Sequence, residues 1–333
     1  MMSNQYAFMI IGGGSIGLRH ARNLSTLGQR VLYLAEPNPA QAASVHAEGF
    51  SVCESIPEGI TPEVDAVLVC SPTVFHLEHV RLAVQADKHV FIEKPLSHTW
   101  DGVEAVVAEA QARGLVTLMG YNMRFRDGYR RAKALLVDGT LGNPLAARAL
   151  VSFYLPHYHP GSDYRRRYQA QRALGGGVVL DDSHEIDYLL DLFGPVDEVV
   201  AYTERLSALE MDVEDYAGAL LKHRSGVITQ LQMDFLGRVY RRELDITGSA
   251  GTLTLDHNSG EIRLYGPGPA GYRVLPQAMS VTLNAMYLDE MQHFIDCLNG
   301  QATSVADIAS GAEVLRVALA MFESAQTGSI VRL

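Results

Sequence analysis

"IIGGGSIGLRH", residues 10–20, decides how the first third of the chain is read. An apolar run ends at Gly12, and Gly14 and Gly17 complete the spacing G-x-G-x-x-G between a strand-like segment and a helical one. In such a turn the first glycine permits a tight bend, the second lets backbone approach a pyrophosphate, and the third lets helix pack on strand. Ser15 and Ile16 belong to the same cradle, and the helix N-terminus beside them offers N–H groups and the positive end of a dipole to phosphates. The next strand-like run, 31–35, ends at Glu36. A carboxylate about 20 residues past the glycines can accept both ribose hydroxyls of adenosine and repels a 2′-phosphate. Nothing basic follows within Pro37-Asn38-Pro39, so the expected cofactor is NAD, with NADP disfavoured.

Outward from this turn, apolar runs at 6–11, 31–35, 66–70, 89–92 and 116–119 alternate with helically spaced segments at 17–27, 39–48, 73–86 and 99–113. That alternation predicts a doubly wound α/β Rossmann domain over residues 1–122, with a parallel sheet and crossover helices. After it, a helical segment at 129–137 and a strand at 145–154 lead to a loop rich in Pro, His, Tyr and Arg, and then to a helix at 180–193. Strands at 198–205, 215–222, 227–234, 241–247, 251–256 and 261–265 follow in succession, before helices at 285–298 and 308–325. Residues 123–333 therefore read as an α+β domain with a mostly antiparallel, open sheet, suited to substrate binding and oligomerisation. An open sheet with one bare face commonly becomes a subunit interface, so a homodimer or homotetramer is expected.

The 333 residues carry 47% apolar and 20% charged side chains and a formal net charge of −11. Such a balance excludes a general nucleic-acid binder, which needs clustered Lys and Arg. Three scattered cysteines, Cys53, Cys70 and Cys297, make no disulfide framework and no CxxC zinc pair, and point to a reducing cytosol. The first ten residues read as a first strand rather than a signal peptide, and no apolar stretch reaches the roughly 20 residues that span a bilayer. The expected protein is cytoplasmic and binds no membrane or metal.

Ligands of doubly wound sheets lie at the carboxyl ends of the strands near the switch point. Ser71, Pro72 and Thr73, after the strand at 66–70, should therefore border the nicotinamide half of a cofactor. His76, four residues past Pro72, reads equally as a packing histidine or a cofactor contact. Glu93-Lys94-Pro95 ends the strand at 89–92 at the same edge, and the proline restricts the backbone of Lys94 to extended conformations and permits a cis bond. By position alone Lys94 is as readily a surface lysine as a functional one.

The glycine turn, Ser71-Pro72 with His76, Glu93-Lys94-Pro95, "YNMRF" (121–125) and "GGGVVLDDSHEIDYLLDLFG" (175–194) together resemble the Gfo/Idh/MocA family of NAD(P)-dependent oxidoreductases, over essentially the whole chain. The resemblance implies that Lys94 lies beside the nicotinamide and the reacting hydroxyl, with Glu93 near the cofactor and the Lys94–Pro95 bond often cis. It also implies an acid/base role for His184. The family's first Asp stands four residues before that histidine, whereas here Asp181 stands three before it, and Leu180 occupies the fourth place. On one continuous helix Asp181, His184 and Asp187 would share a face, either carboxylate could orient the imidazole, and Asp182 would point into solvent.

"YLPHYHPGSDYRRRYQ" (154–169) mixes aromatics, histidines and arginines suited to stacking on a sugar ring and binding its hydroxyls or an attached anion. Tyr154, Tyr164 and Arg165 are candidate substrate contacts there, and Asn122 and Arg124 are candidates from the cleft, with Lys94, Asp181 and His184 completing the set. The expected activity is NAD-dependent hydride transfer to or from a CH–OH group of a sugar, inositol or sugar nucleotide. "GSIGLRHARNL" and "DYRRRYQ" resemble family members of bacterial surface-polysaccharide and nonulosonic-acid pathways. An NAD-dependent glycosidase of the same superfamily and a non-catalytic dinucleotide-binding regulator are the alternatives.

Overall fold

The structure, a computed structural model, describes residues 5–266, 271–275 and 283–333. Residues 1–4, the start of the opening stretch expected to lead into a first strand, lie outside the described residues. Two compact units divide the chain: Met1–Asn122 with Leu283–Ala312, and Met123–Thr282 with Glu313–Leu333.

In the first unit, β1 (Ala7–Ile11), β2 (Arg30–Ala35), β3 (Val52–Cys53), β4 (Ala66–Val69), β5 (His89–Ile92) and β6 (Thr117–Met119) form one sheet in the order β3-β2-β1-β4-β5-β6. All pairs are parallel. Every residue of β1, β4 and β6 is buried, as a sheet covered on both faces requires. Between the strands run α1 (Ser15–Thr26), α2 (Pro39–Ala47), α3 (Ile56–Gly59), α4 (His76–Gln85) and α5 (Val103–Ala112). The start of α2 follows from its sequence: Asn38 accepts from the amides of Ala40 and Gln41, and Pro39 opens the first turn. The helix expected from residue 73 is split, because a 3₁₀ turn at Thr73–Phe75 precedes α4. The strand order reverses between β1 and β4, which makes their carboxyl ends the switch point.

The second unit opens with α6 (Asp127–Val137) and β7 (Pro144–Tyr154), continues through the short α7 (Leu155–Tyr158) and α8 (Val178–Asp181), and reaches α9 (His184–Phe193). The single helix expected over 180–193 is thus two, broken at Asp182-Ser183. Then come β8 (Val196–Glu204), β9 (Tyr216–His223), β10 (Ile228–Asp234), β11 (Leu236–Gly248), β12 (Thr252–Asp256), β13 (Glu261–Tyr265) and β14 (Tyr272–Leu275). With β15 (Val331–Arg332) they form a sheet ordered β14-β13-β12-β11-β7-β10-β9-β8-β15. Its pairs are antiparallel except β7 with β10. One face bears the exposed Val200, Leu220 and Gln230 in a single cross-strand row, flanked by exposed Tyr202 and Ile228.

The chain then returns. Helix α10 (Leu283–Leu298) belongs to the first unit, where Phe294 meets Phe8 and Phe91, and Asn284 bonds Asn23 of α1. Helix α11 (Ile308–Thr327) begins in the first unit and ends in the second. A single crossing near residue 122 therefore understates the first domain, which recovers 283–312 from the far end of the chain. Among the described residues no helix is long and apolar enough to cross a membrane.

Candidate active site

The three glycines of the G-x-G-x-x-G turn do different work. Gly12 has φ +102°, and a Cβ there would lie 2.6 Å from the Cys70 carbonyl oxygen of β4's end. A Cβ on Gly17 would collide with the Gly12 carbonyl oxygen, so helix and strand close on each other only with glycine. Gly14 differs: a Cβ would find nothing nearer than Gln41 Oε1 at 4.0 Å. Gly14, at the N-cap of α1, supplies no side-chain cap to the helix. Glu36 stands beside the turn, its carboxylate accepting from the amides of Gly13 and Asn38, each at 2.8 Å. An open backbone cradle, a helix N-terminus and a fixed carboxylate fit a dinucleotide with unsubstituted ribose hydroxyls. Ser15 is exposed and Ile16 half-buried at the rim.

At the neighbouring strand ends, Ser71 Oγ lies 2.8 Å from His79 Nδ1, and Thr73 is buried. His76 is buried too, with Nδ1 2.7 Å from the Pro95 carbonyl and Nε2 2.7 Å from that of Ser71. The ring ties the Ser-Pro turn to the lysine turn, which is a packing role, one of the two readings open to it. Burial lowers its pKa against the pull of the two carbonyls, so the neutral ring donates to one of them at a time. The Lys94–Pro95 bond is cis. Glu93 turns inward: Oε1 lies 2.8 Å from Nε2 of the fully buried His20 of α1, and Oε2 accepts from the Lys94 amide at 3.3 Å. The local role of Glu93 is therefore to hold the turn that carries Lys94. Asn122 is buried at the end of this unit.

In the second unit, α8, α9 and the break between them carry Asp181, Asp182, His184, Glu185 and Asp187, all buried. Each carboxylate in this group is engaged, two of them by the same guanidinium. Asp181 accepts from the Tyr168 hydroxyl. Asp182 pairs with Arg242, whose Nε also lies 3.0 Å from Glu185 Oε1. Asp187 takes Arg124 bidentately, at 2.9 and 2.7 Å. Arg124 extends the network to Asp191, which also receives Lys133 and the Tyr129 hydroxyl. Burial pushes Asp187 up to about 6 while Arg124 pulls the other way, so the pair is ionic at neutral pH. One expectation changes: Asp182 is a buried ion-pair member rather than a solvated one. Arg124, a candidate substrate contact, anchors α9 through Asp187 and Asp191. The helix break puts Asp181 and His184 on separate helices, so simple i, i+3 spacing does not relate them.

The loop of 154–169 also sorts its members. Arg238 stacks 3.6 Å over the Tyr154 ring, and the Tyr164 hydroxyl accepts from the Glu210 amide. Arg165, a candidate substrate contact, is exposed and paired with Asp163 at 2.9 Å and Glu210 at 3.3 Å. Arg242, Tyr168 and Glu214 escaped notice in the sequence. Glu214 accepts from the Val179 amide at the start of α8, and burial raises its pKa to about 7. Arg242 alone left a signal: it is an arginine at an inward position of a strand whose neighbour Arg241 points out.

A family described as "Oxidoreductase family, NAD-binding Rossmann fold" matches residues 6–121, and one described as "GFO/IDH/MocA C-terminal domain" matches 129–254. The chain is 31% identical over 261 residues to the myo-inositol 2-dehydrogenase of Thermotoga maritima, covering 74% of each. It is 32% identical over 256 residues to the inositol 2-dehydrogenase of Acidothermus cellulolyticus, covering 74% of this chain and 71% of that one. Among solved structures, a levoglucosan dehydrogenase in complex with NADH and levoglucosan superimposes with a TM-score of 0.90 at 21% identity, covering 99% of both chains. The WlbA dehydrogenase from Bordetella pertussis in complex with NADH and UDP-GlcNAcA does so with a TM-score of 0.84 at 21% identity, covering 100% of this chain and 99% of that one. At these identities the two structures establish the shared fold.

Proposed function

Because the chain belongs to the Gfo/Idh/MocA family of NAD-binding oxidoreductases, we propose that it moves a hydride between nicotinamide and a secondary alcohol or ketone carbon of a sugar, an inositol or a sugar nucleotide. The observation that carries this reading is the adjacency of three strand ends. Strand β1 delivers the Gly12–Gly17 turn, β4 delivers Ser71-Pro72-Thr73, and β5 delivers Lys94, side by side at the switch point. Relatives named as inositol 2-dehydrogenases support a polyol ring as substrate.

Bound NAD supplies the hydride acceptor. Lys94 holds its ammonium against negative charge developing on the substrate oxygen. His184 takes the hydroxyl proton as the carbon gives up its hydride, and returns one in the reverse direction. Asp181, held by Tyr168, is the carboxylate we assign to steady the imidazole, since both oxygens of Asp187 answer to Arg124. Glu36 selects NAD over NADP by repelling a 2′-phosphate. The exposed Val200, Leu220, Tyr202 and Ile228 on the open sheet support a homo-oligomer, and three free, buried cysteines support a reducing, cytoplasmic compartment.

The test is NADH formation across a panel including myo-inositol and levoglucosan, with wild type, Lys94→Ala and His184→Ala. Each variant is expected to lose about a hundredfold or more in kcat. Full activity in both would end the mechanism, and sugar release without net NADH would favour the glycosidase alternative.

A further inference from the structure

Three consecutive arginines, 165–167, lie in the loop between β7 and α8, and their surroundings separate them. Arg165 is neutralised by Asp163 and Glu210. Arg166 is exposed. Arg167 is half-buried, and its one hydrogen bond among the described residues runs from Nε to Gln169 Oε1 at 3.4 Å, with no carboxylate at ion-pair distance. A cation partly withdrawn from water without a counter-ion is held at a cost that a bound anion would offset.

Its position is functional. Tyr168, the next residue, donates to Asp181. His159 lies within the fields of both Arg167 and Asp181. Arg167 thus directly precedes, in the chain, the tyrosine that holds Asp181. The other carboxylates of α9 and the break before it are already paired: Asp182 and Glu185 share Arg242, and Asp187 and Asp191 share Arg124, while Asp181 accepts from Tyr168. Burial and the nearby guanidinium hold His159 neutral, as a hydrogen-bonding group without charge.

We propose that Arg167 is the anion-recognising residue of the substrate site, and that the preferred substrate carries an oxyanion group, a carboxylate or a phosphate, on its sugar ring. A guanidinium suits either, since its planar fork matches both geometries with two parallel hydrogen bonds. This inference deepens the proposed function and rests on it for the identity of the site, whereas its test reads binding separately from turnover.

Calorimetric titration of the NAD-loaded protein with D-glucose, D-glucuronate and D-glucose 6-phosphate compares one ring with no anion, a carboxylate and a phosphate. Wild type is expected to bind one of the two anionic sugars about ten- to a hundredfold more tightly than glucose, and which one it favours identifies the group. Arg167→Gln should erase that preference, Arg167→Lys should restore part of it, and the neighbouring Arg166→Gln should leave it intact. Equal binding of the three sugars by wild type, or a preference that survives Arg167→Gln, overturns the proposal. NADH assays on the same samples keep the two readings apart. Turnover of glucose or myo-inositol with the kcat/KM of the acidic sugars leaves the dehydrogenase standing and sinks the anion site. An Arg167-dependent anion preference without NADH formation from any sugar does the reverse.

Discussion

Arg124 and Asp187 meet through two parallel hydrogen bonds, Nε to Oδ2 at 2.9 Å and Nη2 to Oδ1 at 2.7 Å, in a site where the carboxylate is wholly buried. A contact of this kind costs both groups their water, and removing one partner leaves the other charge stranded. Arg124→Met is therefore expected to destabilise the second unit by about 3–5 kcal/mol, while Arg124→Met with Asp187→Leu costs much less. Urea unfolding followed by tyrosine fluorescence checks both, and a double variant no better than the single one would contradict the account.

Gly14 and Gly17 should respond oppositely to substitution. Gly14 has φ −66° and open space where a side chain would project, so Gly14→Val is expected to fold normally and to lose at least about tenfold in NADH affinity by blocking the phosphate approach. Gly17→Ala drives a Cβ into the Gly12 carbonyl and should lower the melting temperature itself. Thermal unfolding and NADH fluorescence titration distinguish the two.

Glu214 makes stability depend on pH near neutrality. Its folded pKa of about 7 lies above the ordinary 4.5, so the folded state holds a proton that the unfolded state releases. The contribution is complete below about 4.5 and is lost as pH rises through 7, over a range of the order of 3 kcal/mol. Glu214→Gln should flatten this decline. Gly177 faces the same carboxylate at φ +102°, and a Cβ there would strike it, so Gly177→Ala should destabilise at every pH.

His257 has the opposite sign. Burial, with Arg242 and Arg126 nearby, holds its pKa well below 6.5, and neither ring nitrogen has a hydrogen-bond partner among the described residues. The unfolded state takes up the proton first, so stability falls as pH drops below about 6.5. His257→Leu should remove that acid limb, as equilibrium unfolding between pH 5 and 7 would register.

Much of the first unit was legible because its information is local. Turn chemistry at Gly12–Gly17, the acid at Glu36 and the alternation of short apolar runs with helical ones each depend on a few neighbouring residues. The return of α10 was not legible, since nothing near residue 283 indicates which sheet its Phe294 will meet. The helix at 180–193 misled for a related reason. Its apolar period is continuous, yet the chain breaks at Asp182, whose partner Arg242 lies 60 residues downstream. Among the candidate site residues, composition could collect histidines, carboxylates and arginines but could not assign them.

By itself the sequence determined that a dinucleotide cradle opens the chain, that Lys94 stands at a strand end and that His184 sits among carboxylates, since residue order and short-range sterics suffice for each. Only the tertiary structure decided that Asp187 belongs to Arg124, that His76 braces two carbonyls and that Arg165 is neutralised while Arg167 is not. Those distinctions rest on desolvation and Coulomb attraction, which act through distance in space and the water excluded between groups, and neither is written in the order of residues along the chain.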